Sequence, residues 1–560
     1  MLGAIFSIAI YGIWRTRHRH DLNTYLKGKE QTPWWAIGLS VMATQASAIT
    51  FLSTPGQGYL SGLSFVQVYF GVPLALLVIS IFFLPIFHHL HVYTAYEYLE
   101  KRFDGKTRLL GTFLFLLQRG IGAGLTIYAP AIVLSTVFGW SLQATIIASG
   151  VVVTLYTMMG GTDAVTVTQK YQLGIIFLGM ITAVVLLISK LPAGLTFGDA
   201  MHVAGGFHKL NAVNFGIDPN ERYTFWSGLL GGTFLMLSYF GTDQSQVQRY
   251  ISGTSVRESR LGLLFNAVCK IPMQFCILMI GVLLFVFYQF HEPPLFFDST
   301  ANKYIDSGKA SAQLANYRSE FAAQRKEVRQ SLDRWVQAKH SGDGGVAGEA
   351  LSQAWAAQQR AEKTQLDATT ALAAENKQVK TNNADYVFIT FILNELPHGV
   401  IGLLVAAFFM AALSAKSAEL NALGACTTVD VYRTLIKRNA SDNESVAMTR
   451  WFTALWGVVA ILIALFAHFS ENLIQAVNIL GSIFYGVLLG LFVVAFFMKR
   501  VGGTAIFWAA LTTQLLIFVC YFTLPISYLW LPLIGCAACV AFSLLLQSVL
   551  GQRADSRSVA

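Results

Sequence analysis

A lysine and a glutamate lie one helical turn apart in a stretch that otherwise suits a hydrocarbon interior. The stretch AAFFMAALSAKSAELNALGACTTVDVYR, residues 406–433, carries Lys416 and Glu419. Charges three positions apart share one side of a helix, so the two could neutralise each other as a structural ion pair. Ionisable residues at membrane depth are also typical of ion and solute pathways. Both interpretations stay open at this point.

Two further cations, Arg119 and Lys270, lie in apolar segments. A guanidinium such as that of Arg119 needs a partner there, and its fork geometry suits a carboxylate. The partner could belong to a bound solute, or it could be Asp243 or the carbonyls of a helix end. Lys270 is predicted to lie near the inner membrane boundary and to extend towards lipid phosphate groups.

Motifs for bond-making chemistry are not found in this sequence. It contains no Walker motif, and no paired carboxylates, metal-ligand cluster or nucleophile triad falls in its apolar segments. All six cysteines lie in apolar segments, where packing is the expected role. We therefore predict that the protein is not an enzyme and needs no organic cofactor.

The composition predicts an all-α polytopic membrane protein. Of the 560 residues, 54% are hydrophobic and 12% charged, and the mean hydropathy is +0.54. Twelve apolar segments are long enough for a ~30 Å hydrocarbon core, and a shorter one, LGAIFSIAIYGIW, precedes them, giving about 13 transmembrane helices. The twelve are 34–60, 64–87, 109–137, 140–159, 170–190, 224–241, 262–290, 398–424, 450–468, 472–498, 503–524 and 528–549.

The distribution of lysine and arginine predicts the orientation. Loops assigned to the cytoplasm hold 21 of the 39 Lys and Arg residues, whereas short outer loops hold only Lys190, Lys209 and Arg222. The N-terminus is therefore expected outside and the C-terminus in the cytoplasm, in a plasma membrane of the bacterial inner-membrane type. The net charge of +9 reflects this topology, and no nucleic-acid binding is expected.

Segment 291–385 differs in kind from its surroundings. It is rich in Ala, Gln, Lys and Glu, and its apolar residues recur at helical spacing on both sides of SGDGG. We predict an extracytoplasmic antiparallel helical hairpin that acts as a spacer, a lid or the docking surface for a partner protein.

Two apolar segments look interrupted near mid-membrane. In SVMATQASAITFLSTPGQGYLSG, Pro55, Gly56 and Gly58 are expected to end or unwind a helix, and GGTFLMLSYFGTDQSQVQR places glycines around polar residues. Interrupted helices in corresponding positions of two halves indicate a secondary transporter built from an inverted repeat. Solute and ion would then bind at the interruptions.

Six motifs together resemble the sodium:solute symporter family, nearest to its iodide, monocarboxylate and vitamin carriers. They are PWWAIGLSVMATQASAITFLSTPGQGY, FLPIFHHLHVYTAYEYLEKRF, YAPAIVLS, YTMMGGTDAV, YFGTDQSQVQRYISG and AELNALGACTTVDVYR. The resemblance implies a leucine-transporter-type (LeuT) five-plus-five inverted repeat. The implied division is 1–33 for an extra helix and loop, 34–190 for the first repeat, 191–223 for an outer loop, 224–290 and 386–498 for the second repeat, 291–385 for the hairpin, and 499–560 for two C-terminal helices and a tail.

The resemblance also implies a sodium site between the first and eighth core helices. Its ligands would be the carbonyls of Ala43, Ala46 and Ala411 and hydroxyls at positions 414 and 415, where this chain has Ser414 but Ala415. Lys416 follows the missing hydroxyl. On the fifth core helix, where the family usually has an acidic residue, this chain has Gln169 and then Lys170. Either lysine could replace the bound cation, with Glu419 as the partner charge.

Candidate residues for the solute come partly from the same resemblance. Some acid-transporting members use an arginine on the third core helix, so Arg119 is proposed to hold a solute carboxylate. Neutral hydrogen bonds would come from Gln45, Ser47, Thr50 and Gln67. Two aromatic residues that match the inner gate of the family would cover the solute. These are Tyr239 and Phe240.

These observations predict a secondary active transporter that imports a small organic solute by alternating access. The solute is expected to be anionic, or a sugar or sugar acid, and sodium is the expected coupling ion. One alternative is a sodium-independent or proton-coupled carrier in which Lys416 or Lys170 replaces the ion. Another is a transporter-like substrate sensor, which would need a separate signalling partner because only a short tail follows the last apolar segment.

Overall fold

The computed structural model describes residues 33–550 apart from seven short gaps. The gaps are 91, 193, 252, 254, 309, 377–382 and 467–471; at 160–172 and 414 only the helical backbone is described. The predicted first helix within 1–33 and the tail 551–560 lie outside this part. All regular secondary structure in the described residues is helical.

Eleven α-helices lie between residues 34 and 290. They are α1 (Trp34–Gln45), α2 (Ala48–Ser61), α3 (Val72–Val78), α4 (Leu84–His89), α5 (Glu97–Arg102), α6 (Gly105–Phe138), α7 (Leu142–Ser189), α8 (Phe197–Gly206), α9 (Gly232–Gly241), α10 (Gln244–Tyr250) and α11 (Val256–Phe290). A 3₁₀ segment, Gly62–Tyr69, and two π segments, Ile79–Phe83 and Ser227–Gly231, extend some of these helices.

Nine α-helices follow. They are α12 (Ser299–Asp306), α13 (Ala312–Ser341), α14 (Gly344–Glu375), α15 (Ala384–Glu395), α16 (His398–Cys426), α17 (Asp442–Phe466), α18 (Leu473–Phe497), α19 (Gly503–Thr523) and α20 (Leu531–Leu550). A π segment, Thr427–Ile436, continues α16.

The multi-pass membrane prediction is confirmed. Nine helical segments among the described residues are long and apolar enough to cross a membrane, and Leu173–Ser189 is a shorter apolar helix. The prediction of a loop between spans 140–159 and 170–190 is wrong, because helical backbone continues across it in α7. This helix has 48 residues. At 1.5 Å per residue, a straight helix of 48 residues would measure roughly 70 Å, well beyond the thickness of one membrane.

The first core helix is interrupted between α1 and α2. Ala46 leaves the helical conformation with ψ of 73°, and Ser47 is extended with ψ of 174°. The Ser47 N–H donates to the carbonyl of Gln45, so the regular bond to the carbonyl of Ala43 is replaced. Backbone groups that leave the helical pattern within an apolar span must be satisfied by a polar cavity or by another part of the protein.

The expected position of this interruption is wrong by several residues. Pro55, Gly56 and Gly58 lie inside α2 instead of ending a helix. The two glycines serve close packing, because a Cβ atom at Gly56 would overlap the carbonyl oxygen of Ala384 and one at Gly58 that of Leu278. Proline is tolerated because surrounding helices can compensate for one missing hydrogen bond.

The second interruption lies between α9 and α10, as the sequence predicts. Thr242 ends α9, and Asp243 adopts an extended conformation with ψ of 117°. One carboxylate oxygen of Asp243 accepts the N–H of Ser245 at 2.9 Å and so caps α10. Each interrupted helix is the first helix of its half of the core.

The predicted hairpin is formed by α13 and α14, which pack along each other; α13 docks on the C-terminal end of α11, and α14 contacts α8. The buried Arg325 donates to Gln289 Oε1 at 3.0 Å, near the end of α11. Lys339 forms an ion pair with Asp199 of α8 and lowers the pKa of this carboxyl to about 2. The pair therefore contributes fully above a pH of about 4 and is lost as the pH falls towards 2.

We expect Gly56→Ala to lower the unfolding midpoint of the purified protein, because its methyl group would push α2 away from α15. Overpacking of this kind typically costs about 1–3 kcal/mol. Gly174→Ala is the matched control, since a Cβ atom there meets open space and alanine favours the helix. Equal midpoints for the two variants in thermal unfolding would contradict the close packing at Gly56.

Candidate functional site

A cavity of about 80 Å³ lies beside the first interruption and reaches helices from both halves. Its wall combines hydroxyl, amide and charged side chains with apolar ones. The lining residues are Thr44, Gln45, Ser47, Ile49, Thr50, Tyr69, Arg119, Thr126, Leu235, Met236, Tyr239, Lys270, Glu419, Ile474, Val477, Asn478, Gly481 and Tyr485. A few convergent polar groups in an otherwise apolar wall are typical of small-molecule sites.

Arg119 lines this cavity, and two carboxylates hold its guanidinium. Nη2 forms an ion pair with Asp243, and Nη1 lies 3.1 Å from Glu419 Oε1. The hydroxyl of Tyr485 accepts from Arg119 at 2.8 Å and donates to Asp243 at 2.8 Å. Arg119 is only 3% exposed. The structure thus shows the protein's own Asp243 as a partner, which was the second possibility left open for this arginine.

Lys416 and Glu419 meet through a third residue. Lys416 Nζ donates to Thr126 Oγ1 at 3.0 Å, and the Thr126 hydroxyl donates to Glu419 Oε2 at 2.8 Å. No direct ion pair within 4.0 Å joins Lys416 to a carboxylate in the described part of the chain. The predicted helical pair is therefore wrong as a direct contact, because Arg119 takes the other oxygen of Glu419.

The prediction for Lys270 is wrong. Its side chain does not extend to a membrane surface but is 1% exposed and lines the cavity. Its ammonium lies 5.2 Å from the ring centroid of Tyr69, a favourable cation–π distance. Among the residues that the structure describes, no carboxylate oxygen lies within 4.0 Å of this ammonium. Lys270 is thus a buried cation that faces a cavity without a charged partner.

Four of the other predicted solute contacts line the cavity. Gln45 and Ser47 lie at the first interruption, Thr50 follows in α2, and the Tyr239 ring lies 5.5 Å from the guanidinium carbon of Arg119. Gln67 and Phe240 do not line it. The amide of Gln67 donates to the carbonyl of Tyr223, whereas Phe240 is packed in the core.

The predicted ion ligands lie beside the first interruption and on α16. Ala43, Ala46, Ala411 and Ala415 are all at least 97% buried. Carbonyl oxygens next to the interruption suit a hard cation such as Na⁺, and Ala415 adds no side-chain oxygen. The side chains of Ser414 and Lys170 lie outside the described part of the structure.

Tyr69, Thr126 and Tyr485 are cavity residues that sequence reasoning missed. They are isolated in sequence, and only the packing of helices brings them together. A usable signal existed for Lys270. Asn266, Lys270 and Gln274 recur every four residues and are all buried, so they form a polar stripe on α11. Such a stripe in an apolar span indicates an inward-facing site.

A model of the sodium:solute symporter family matches residues 25–303 and 367–513, which is more than half of the chain. The chain belongs to the sodium:solute symporter family. The predicted membership is confirmed, and the unmatched stretch 304–366 contains most of the hairpin. Members of this family are solute transporters, so the prediction of a non-enzymatic protein agrees with it.

Relatives within the family are named after different solutes. Sodium-coupled monocarboxylate transporter 1 of Xenopus laevis is 28% identical over 485 residues, covering 87% of this chain and 64% of the relative. The human sodium/iodide cotransporter is 34% identical over 262 residues, covering 46% of this chain and 40% of the relative. The chain thus matches less than two thirds of the length of either relative.

A solved structure shows the same fold. It is the substrate-bound outward-open state of a Na⁺-coupled sialic acid symporter, which gives a TM-score of 0.75 at 22% identity. The match covers 99% of this chain and 98% of that one. The LeuT-type fold prediction is confirmed.

We expect Arg119→Gln to destabilise the protein by about 3–5 kcal/mol, because it leaves Asp243 and Glu419 buried with less compensation. The double variant Arg119→Gln/Asp243→Asn should lose clearly less than the sum of the two single losses. Denaturant unfolding of the purified protein without added solute measures both. Strict additivity would show that the ion pair contributes nothing to the fold.

Proposed function

We propose that this protein imports a small monovalent organic anion together with sodium, and that this anion is a short monocarboxylate. The observation that carries the proposal is the ammonium of Lys270, which is buried and faces the cavity without a carboxylate partner in the described residues. Leaving such a charge uncompensated is costly, and a solute carboxylate would compensate it.

The charges around the cavity favour an anion. Arg119, Lys270 and Lys416 are positive, and Asp243 and Glu419 are negative. Three cations against two carboxylates leave one positive charge in excess. Asp243 contacts Arg119, and Glu419 contacts both Arg119 and Thr126. Neither carboxylate contacts Lys270, so the excess positive charge is located there.

The rest of the wall favours a short solute with an apolar end. Apolar surface comes from Leu235, Met236, Ile474 and Val477, and hydroxyl groups come from Ser47 and Thr50. The cavity of about 80 Å³ has room for only a few heavy atoms in this conformation. Names of relatives support the class, since one is a monocarboxylate transporter and another carries iodide, also a monovalent anion.

Sodium coupling rests on family membership and on the first interruption. Ala46 lies between two helices, and its conformation turns its carbonyl out of the regular helical pattern. We propose that this carbonyl and that of Ala411 are oxygen ligands of the sodium ion, and that Ser414 adds a hydroxyl. Bound sodium would supply the driving force, because its entry is downhill.

Alternating access would use contacts on both sides of the cavity. On one side, Asn472 donates to Gln57 at 2.5 Å, which ties α18 to α2. On the other, the ion pair of Arg119 and Asp243 and the ring of Tyr239 close the path. We propose that the two sets open in turn.

The proposed setting follows from the loops. The excess of lysine and arginine supports an N-terminus outside and a cytoplasmic C-terminus, in a plasma membrane of the bacterial inner-membrane type. The hairpin of α13 and α14 would then face outwards. An extracytoplasmic protein that binds this hairpin stays a prediction.

We expect Lys270→Gln to weaken binding of short monocarboxylates such as acetate, propionate and lactate about tenfold or more, because a charged hydrogen bond is worth about 1.5–3 kcal/mol. Lys303→Gln, at an exposed position of α12, should bind them like the wild type. Thermal-shift titration of purified protein in sodium buffer measures the affinities, since a ligand of the folded state raises the melting point.

Two outcomes would overturn the proposal. Stabilisation by neutral sugars but by no carboxylate would show that the solute is not an anion. Uptake of a carboxylate into vesicles that is undiminished when choline replaces sodium would remove sodium from the mechanism and favour the alternative in which Lys416 replaces the ion.

A further inference from the structure

Glu419 is shared between the solute cavity and the side of α16 that carries the ion ligands. Oε1 accepts from Arg119, which lines the cavity, at 3.1 Å. Oε2 accepts from the hydroxyl of Thr126 at 2.8 Å. The residue is 6% exposed, so both bonds form away from bulk water, where charge-assisted hydrogen bonds are strong.

Thr126 connects this carboxylate to Lys416. The threonine oxygen accepts from Lys416 Nζ at 3.0 Å, and its single hydroxyl hydrogen has two acceptors within reach. One is Glu419, and the other is the carbonyl of Ala123 at 3.0 Å in the same helix. A hydroxyl has only one hydrogen to donate, so the two bonds compete and Thr126 has two discrete arrangements.

Lys416 lies next to the proposed sodium ligands. It follows Ala415 directly and is 1% exposed. A cation bound at the carbonyls of Ala46 and Ala411 would repel this ammonium, and a buried ammonium without a direct carboxylate partner responds to a nearby charge. The path available to that response leads through Thr126 to Glu419.

We propose that Thr126 and Glu419 are positioning residues that make the hold of Arg119 on the solute depend on bound sodium. With sodium present, Lys416 strengthens its bond to Thr126, and the Thr126 hydroxyl donates to Glu419. Glu419 then attracts Arg119 less strongly, which leaves more of the guanidinium's charge for an anion in the cavity. This inference rests on the proposed function, and by linkage a bound anion would favour sodium to the same degree.

Replacing Thr126 by valine tests the connection without changing any charge or much volume. The quantity to measure is the ratio of the propionate dissociation constants in choline and in sodium buffer, by titration of purified full-length protein. Couplings between sites typically amount to about 5- to 150-fold. Thr126→Val should reduce the wild-type ratio about fivefold or more, whereas Thr126→Ser, which keeps the hydroxyl, should restore it.

Thr136→Val is the matched control on the same helix, because the Thr136 hydroxyl donates to the carbonyl of Ile132 in its own helix and bonds to no other residue that the structure describes. Glu419→Gln gives a second readout, because its expected effect is tighter binding, which damage to the fold would not produce. With this carboxylate gone, Arg119 keeps only Asp243 as a charged partner among the described residues, so propionate should bind more tightly than to the wild type in choline buffer, and sodium should add little.

An unchanged ratio in Thr126→Val, or weaker propionate binding to Glu419→Gln in choline, would overturn the proposal while leaving the proposed function in place. A wild-type protein that binds propionate equally in both buffers would also overturn it, because there would be no coupling to transmit. Failure of the proposed solute class looks different, since the wild type would then bind no short carboxylate in either buffer.

Discussion

The need to neutralise one buried guanidinium organises the centre of this protein. Arg119 lies on a helix of the first half of the core, whereas Asp243 and Glu419 belong to two helices of the second half. An unpaired charge at this depth would cost several kcal/mol, so these helices cannot separate there without penalty. Asp243 performs two roles, because one oxygen caps α10 and the other meets Arg119. The second interruption and the ion pair therefore depend on each other.

These contacts also determine which positively charged side chain is available to bind a solute. An arginine in an apolar span suggests a carboxylate ligand, but two protein carboxylates and a tyrosine hydroxyl already occupy the guanidinium of Arg119. Lys270 makes no ion pair within 4.0 Å among the described residues, and the face of Tyr69 lies 5.2 Å from its ammonium. On the proposed function, specificity for an anion would therefore rest more on Lys270 than on Arg119, and Arg119 would contribute to the extent that its carboxylates release it.

Sequence alone predicted the fold class and part of the site, but not the position of the first interruption or the continuous helix α7. Apolar spans, the two interruptions and the helical hairpin leave local patterns, whereas the partner of a buried charge is set by packing between distant segments. Glu419 is 300 positions from Arg119, so spacing along one helix suggested Lys416 instead. Lys270 was placed too near the surface because α11 begins at Val256, capped by Ser255, and Lys270 therefore lies roughly 20 Å into the helix.

The excess positive charge gives a physical reason for joint binding of a cation and an anion. Without ligands, the charged groups at the cavity already carry one uncompensated positive charge. A sodium ion at the carbonyls of Ala46 and Ala411 would raise the excess to two, and a monovalent anion beside Lys270 would return it to one. In a poorly hydrated interior such charges interact strongly. On the proposed function, each ligand therefore lowers the electrostatic cost of the other, and sodium without solute, which raises the excess to two, is the most disfavoured state.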